Sequence, residues 1–232
     1  MKELVNLKNW KRTKTYEIFS KFSDPYTGIV TKLNVSNLVN YTKNHEISFY
    51  ATMSYLVLKS LDAIEEFKYG YGKNNDKIDI YRYNSLAITV TTLDNCKNLN
   101  FTRYIIFSPN IDKFISDFET AKIDAEKGIE PINGLEMKDV AKVYVTCLPW
   151  IRFSNFKDAI NSSEISSEPK ICWGQYYVED GEYKLDFSLL VNHAFQDGYQ
   201  MSQFISYFQL YEKEFEVLNF NEIQSKYRKL LK

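Results

Sequence analysis

A chain of 232 residues with 44% hydrophobic content is long enough to bury a sizeable core and fits one large α/β unit spanning 1–232. Its 29 Lys and Arg are spread among 30 Asp and Glu for a net charge of −1, which excludes nucleic acid as a main partner. The 3 cysteines, Cys96, Cys147 and Cys172, show no CxxC spacing, which excludes a disulfide framework or structural zinc site and fits a reducing compartment.

Taken in order, Asn9-Trp10-Lys11-Arg12 leads into Tyr16, Phe19 and Phe22, an amphipathic helix that ends before Asp24-Pro25. A short strand through Ile29-Val30 and Lys32-Leu33 follows. Asn34 is placed to cap a second helix carrying Val35, Leu38 and Val39. Ser48 is placed to cap a third, from Phe49 to about Phe67, whose first turns are apolar nearly all round and so belong deep in the fold. Gly70-Tyr71-Gly72 reads as a break. Strands are expected near Ile78–Tyr83, Leu86–Thr92 and Asn100–Phe107, with a turn at Asp94-Asn95. Ser108-Pro109 opens a helix with Ile111, Phe114, Ile115 and Phe118 on one face, and Gly128 is placed to end it.

Val140–Thr146 returns as a strand before Cys147-Leu148-Pro149-Trp150, and the polar run Asn161–Glu168 reads as a loop. Ile171–Tyr177 and Tyr183–Val191 form a hairpin about Glu179-Asp180-Gly181. In its second strand Tyr183, Leu185, Phe187, Leu189 and Val191 alternate with Lys184, Asp186 and Ser188, the pattern of a half-buried strand that places His193 on the apolar side. Met201, Phe204, Ile205, Phe208 and Tyr211 then recur at helical spacing, so a helix begins near Asp197-Gly198. The fold class is α/β: a two-layer unit with helices packed on a mixed, mostly antiparallel sheet. The aromatic fraction of 16% supplies either a Tyr- and Phe-rich core or an aromatic-lined pocket or subunit interface. No apolar run approaches the roughly 18 residues of a membrane span, and Met1–Lys8 lacks a signal-peptide core, so a cytoplasmic protein without a membrane partner is expected.

His193 stands where that strand gives way to the helix. An imidazole there is either a core group with both nitrogens satisfied or a general base, with one nitrogen free and the other held by a fixed acceptor. Asp197 heads an Asp-x-x-Gln start with Gln200, which makes it a helix cap or an orienting carboxylate. No serine or cysteine sits in a motif such as GxSxG, so no covalent acyl-enzyme is expected. His45 reads as a surface loop residue. The spacing of the two histidines matches no metal motif, and no metal is expected.

Asn192-His193-Ala194-Phe195-Gln196-Asp197-Gly198 resembles the His-His-x-x-x-Asp-Gly signature of coenzyme-A-dependent acyltransferases. Asn9-Trp10-Lys11-Arg12, Phe49-Tyr50, Leu148–Phe153, Ser154-Asn155-Phe156, Pro169 and Tyr176 follow in the order and near the spacing of the trimeric chloramphenicol acetyltransferase family. The resemblance implies O-acetyl transfer from acetyl-CoA, a co-substrate, to a hydroxyl of chloramphenicol or a related small alcohol. It further implies a homotrimer with the active site between subunits. By that resemblance His193 is the general base, Thr146 stands for an oxyanion-stabilising serine, and Asp197 pairs with Arg12 to hold the corner. Trp150 and Tyr176 would meet the coenzyme, and Tyr26 and Cys172 would lie near the acceptor. On their residues alone, Thr146 is equally an ordinary strand threonine, and Trp150 and Tyr176 are equally core aromatics. Asn192 replaces the signature's first histidine, Cys172 replaces a threonine, and Ser23–Thr27 lacks the family's cysteine; the alternative to this reading is a homologue of non-catalytic or altered specificity that binds a hydrophobic small molecule in the same pocket.

Overall fold

A computed structural model describes residues 1–74, 77–93, 100–127, 139–161 and 165–215. The elements in order are β1 (Lys2–Leu4), α1 (Thr13–Phe19), β2 (Tyr26–Asn34), α2 (Ser36–Asn44), α3 (Phe49–Asp62), β3 (Tyr69–Asn74), β4 (Lys77–Tyr83), β5 (Leu86–Leu93), β6 (Asn100–Ile106), α4 (Ile111–Glu126), β7 (Ala141–Leu148), β8 (Lys170–Glu179), β9 (Glu182–Asn192) and α5 (Gly198–Lys213). A six-stranded sheet in the order β2-β9-β8-β7-β5-β6 carries the fold, and β1-β4-β3 form a smaller three-stranded sheet. In the large sheet β2–β9, β8–β9 and β5–β6 are antiparallel, whereas β5–β7 and β7–β8 are parallel, so the sheet is mixed with an antiparallel majority. The turn expected at Asp94-Asn95 and the helix end expected at Gly128 lie outside the described residues.

The helices cover one face of the large sheet. Leu185, Phe187, Leu189 and Val191 of β9 point into that layer, where the Phe187 ring stacks on Phe204 of α5 at 5.4 Å. Helix α3, buried from Ala51 to Leu61, is the central rod of this layer, as its all-round apolar sequence requires. Its Ser48 Oγ accepts the Ala51 N–H at 3.2 Å, the cap read from the sequence. The β8–β9 hairpin turns on Asp180 and Gly181, both at positive φ (56° and 79°), the conformation a tight Asp-Gly hairpin needs.

Several expectations are corrected. Gly70-Tyr71-Gly72 is no break but the middle of β3. A Cβ on Gly72 would come within 2.6 Å of the Tyr81 ring and 2.7 Å of the Tyr83 hydroxyl, so these glycines admit close neighbours instead of ending the strand. Helix α3 stops at Asp62, because Ile64 is extended; a short 3₁₀ turn at Glu65–Lys68 then brings Phe67 into the core beside Ile64. Helix α4 takes Asn110, not Ser108, as its cap, with Oδ1 accepting the Lys113 N–H at 2.9 Å. Strand β9 is buried on both faces at Asp186, Ser188 and Asn192, because chain laid over the second face puts the Phe153 amide on Asp186 and the Ser166 carbonyl on Asn192.

Asn34 ends β2, and its side chain accepts only the Ser36 N–H. The open amides of α2 are satisfied instead by Glu212 of α5, whose Oε1 accepts from Asn37 N at 2.7 Å and Leu38 N at 3.2 Å. Glu212→Ala leaves these donors unmet beside a buried gap and is expected to cost about 1–2 kcal/mol, the typical loss for a helix cap. Glu212→Gln keeps an acceptor, and thermal melts of the two variants should therefore separate.

Candidate active site

The strand-to-helix corner is built from contacts that are distant in sequence. Strand β9 ends at Asn192, and the His193 N–H donates to the Pro25 carbonyl at 2.8 Å. Asp197 caps α5: its Oδ1 accepts the Tyr199 N–H at 2.9 Å, and Gln200 Oε1 accepts the Asp197 N–H at 3.1 Å, completing a capping box. Arg12, just before α1, spans the corner. Its Nη1 meets Asp197 Oδ2 at 3.1 Å, and its Nη2 donates to the His193 carbonyl at 3.3 Å. Burial alone would push the Asp197 carboxyl up, but the Tyr199 N–H, the Arg12 guanidinium and nearby His193 together hold it below the usual carboxylate range. Asp197 thus makes the cap and the ion pair, and no hydrogen bond joins it to the imidazole.

The His193 ring is half-buried and lies flat on Phe19, with centroids 3.8 Å apart and planes at 14°. Neither ring nitrogen has a hydrogen-bond partner among the described residues, and Nδ1 is buried without one. The sequence reading called for a fixed acceptor on one nitrogen; here the ring is held by stacking and by its own backbone. In the sequence Phe19 is only one apolar position of an amphipathic helix. The signal that could have marked it was the aromatic triplet Tyr16, Phe19 and Phe22 at three-residue steps, two of them on α1 and the third just past its end.

Asn192 is buried, with Oδ1 accepting the Ala194 N–H at 2.9 Å and Nδ2 donating to the Ser166 carbonyl at 2.8 Å. Tyr26 sits opposite it in the β2–β9 register and holds the same segment, its hydroxyl 2.9 Å from Ser166 Oγ and donating to the Glu168 carbonyl at 3.1 Å. Burial pushes that hydroxyl's pKa up, and both its contacts are internal. His45 ends α2, stacked on Tyr41 and away from this corner. Among the described residues no cluster of His, Cys, Asp and Glu forms a metal site, and no helix is long and apolar enough to cross a membrane.

The remaining residues lie elsewhere. Thr146 of β7 pairs with Cys172 of β8, which pairs with Ser188 of β9, all on the face away from the helices. Cys172 is 1% exposed, and burial pushes its thiol up to about 12, so it is a neutral wall behind Thr146. His193 lies five residues beyond Ser188. At about 3.3 Å per residue this is roughly 17 Å along the sheet, with two strand spacings of about 4.8 Å across it. Thr146 and His193 therefore cannot touch one acceptor within a single chain. Trp150, just past β7, is 68% exposed. Tyr176 is half-buried between Phe49 at 5.1 Å and Tyr183 at 5.7 Å, with Lys43 Nζ 5.9 Å from its ring centre.

The sequence profile of the chloramphenicol acetyltransferase family matches residues 2–209. The chain belongs to that family. Its homologues of this name are acetyl-CoA-dependent acetyltransferases, and the acetyltransferase described here aligns with them over most of their length. A chloramphenicol acetyltransferase of Staphylococcus aureus is 26% identical over 89% of this chain and 96% of its own. Chloramphenicol acetyltransferase 3 of Escherichia coli is 22% identical over 87% and 92%. Among solved structures, a chloramphenicol acetyltransferase superposes with a TM-score of 0.77 at 19% identity, covering 90% of this chain and 98% of that one. A probable dihydrolipoamide acetyltransferase of Listeria monocytogenes follows at 0.61 and 12%, covering 93% and 95%, so the acetyltransferase shares its α/β layout with a wider group.

Proposed function

We propose that this family member transfers the acetyl group of acetyl-CoA to a hydroxyl of chloramphenicol or a related small alcohol, with His193 as general base. The observation that carries the reading is the His193 ring itself: half-buried, stacked on Phe19, without a hydrogen bond to any described residue and fixed at its backbone by Pro25 and Arg12. Such a ring can take a proton from an alcohol as that oxygen attacks the thioester carbonyl. The tetrahedral oxyanion would receive a hydrogen bond from the Thr146 hydroxyl. Collapse breaks the carbon–sulfur bond, and the proton held by the imidazole passes to the departing thiolate.

Because Thr146 and His193 are far apart within one chain, the reading requires two copies of the chain to complete each site. That requirement supports active sites between subunits of an oligomer; our reading of it is a homotrimer in the cytoplasm. In this arrangement Trp150 and Tyr176 would contact the coenzyme. Cys172 would back the acceptor pocket, Tyr26 would brace it through Ser166–Glu168, and Arg12, Asp197 and Asn192 would keep the corner in shape. The test is spectrophotometric release of coenzyme A thiol by the purified protein. Chloramphenicol or another alcohol in a broad panel should trigger release, and an oligomer that releases none with any of them would end this reading.

One observation favours a second reading, a binding protein without turnover. Among the described residues Nδ1 has no acceptor to fix its tautomer, and Asn192 spends its amide on backbone groups. Thermal stabilisation by chloramphenicol without thiol release would select it.

A further inference from the structure

The segment that carries Trp150 returns over the sheet at a built irregularity. Between the pairs Trp173–Phe187 and Tyr176–Leu185 the register slips, so Gly174 and Gln175 of β8 together oppose the single residue Asp186 of β9. Chain 151–153 is laid across this bulge. The Gln175 N–H donates to the Ile151 carbonyl at 2.9 Å, and a Cβ on Gly174 would meet that same oxygen at 2.7 Å. On the other side of the bulge the Phe153 N–H donates to Asp186 Oδ2 at 3.0 Å, and the Tyr177 hydroxyl donates to Asp186 Oδ1 at 3.3 Å. Arg152 places Nε 3.7 Å from Asp186 Oδ2 and lays its guanidinium 3.4 Å above the Tyr177 ring centre. Asp186 itself is only 6% exposed, on the sheet face away from the helices, where the helical core makes no use of it.

A buried carboxylate costs free energy unless its acceptor sites are filled; here Tyr177 of β8 fills Oδ1, and the Phe153 amide and Arg152 of one short segment meet Oδ2. That segment follows the end of β7 at Leu148, two residues past Thr146, and has Trp150 at its tip. We propose that Asp186 is a positioning residue for coenzyme binding: with the Gly174 bulge it pins 151–153 so that Trp150 is held in a fixed pose beside the Thr146 strand. The inference rests on the proposed function, since it assigns what the pinned segment serves.

Asp186→Ala and Asp186→Asn are compared with wild type by calorimetric titration with coenzyme A, by steady-state kinetics and by hydrogen exchange at the Phe153 amide. In Asp186→Ala the Phe153 amide should exchange faster. Affinity for coenzyme A should fall, and the KM for acetyl-CoA rise, by on the order of tenfold, the scale of one lost charge-assisted hydrogen bond. The acceptor KM should stay within about twofold, well below that scale. Asp186→Asn keeps an oxygen for the Phe153 N–H and should recover most of the affinity. Unchanged coenzyme affinity in Asp186→Ala overturns the inference alone. So does a parallel loss in kcat and both KM values that Asn does not rescue, which would mark general damage to the fold. Wild type that fails to bind coenzyme A overturns both this inference and the proposed function.

Discussion

His193→Ala is expected to lower kcat for acetyl transfer by about 10²–10⁴-fold, the usual contribution of a positioned general base. Stability should change little. The two contacts that fix residue 193, its N–H to Pro25 and its carbonyl to Arg12, belong to the backbone and survive the substitution. What is lost is the stack on Phe19, a half-exposed aromatic pair worth about 0.5–1.5 kcal/mol. Thiol release with a saturating acceptor reads the rate, and a thermal melt reads the fold; a variant that melts like wild type yet keeps activity within a few-fold would remove His193 from the chemistry. Mixing brings the two-copy requirement into the same experiment. Thr146→Val keeps the shape of the side chain and deletes the donor, so it too should be severely slowed, by ~10²-fold or more if Thr146 serves the oxyanion. Co-refolded with His193→Ala, it should regain a fraction of wild-type activity, because some sites then draw an intact imidazole from one copy and an intact hydroxyl from another. No recovery would mean that each chain works alone.

Arg12→Ala should be the most damaging change away from the imidazole. The guanidinium is 11% exposed and satisfies the Asp197 carboxylate and the His193 carbonyl together, while its Asp197 partner is 33% exposed. A fully buried pair broken on one side costs about 3–5 kcal/mol, and the partial exposure of Asp197 lowers the expected loss to about 1–3 kcal/mol. Activity should fall as well, since the carbonyl clamp on residue 193 goes with it. The sign of the pH dependence follows from the lowered Asp197 pKa. A carboxyl held lower in the folded than in the unfolded chain adds stability that is fully present above its unfolded value of about 3.9, and that stability is lost as pH falls through the folded value. Denaturation at pH 7 should therefore separate wild type from Arg12→Ala clearly, and the gap should narrow below about pH 4. A gap that persists unchanged into acid would assign the loss to packing of the Arg12 side chain.

What could be read from the residues in order was local. Asp180-Gly181 sets its hairpin because a glycine and an aspartate tolerate positive φ, whatever the rest of the chain does. Ser48 and Asp197 cap α3 and α5 through bonds that span three residues or fewer, and the apolar periods of Phe49–Leu61 and Met201–Tyr211 announce their buried faces. The motif around His193 and the Arg12–Asp197 pairing were legible only because a family pattern carries long-range information that spacing does not.

The tertiary structure alone decided the rest. Glu212 replaces Asn34 as the partner of α2 from 175 residues away, Gly70 and Gly72 lie inside a strand where Ser167 and the Tyr81 and Tyr83 side chains respectively need their space, and Phe19 comes to rest on the imidazole. Strand order has the largest consequence. It sets Thr146 two strands and five residues away from His193, so no one small molecule can touch both side chains within a single chain. The physical reason is range: backbone preferences and short hydrogen bonds act over a few residues, whereas the neighbour across a sheet or under a helix is fixed only when the whole core packs.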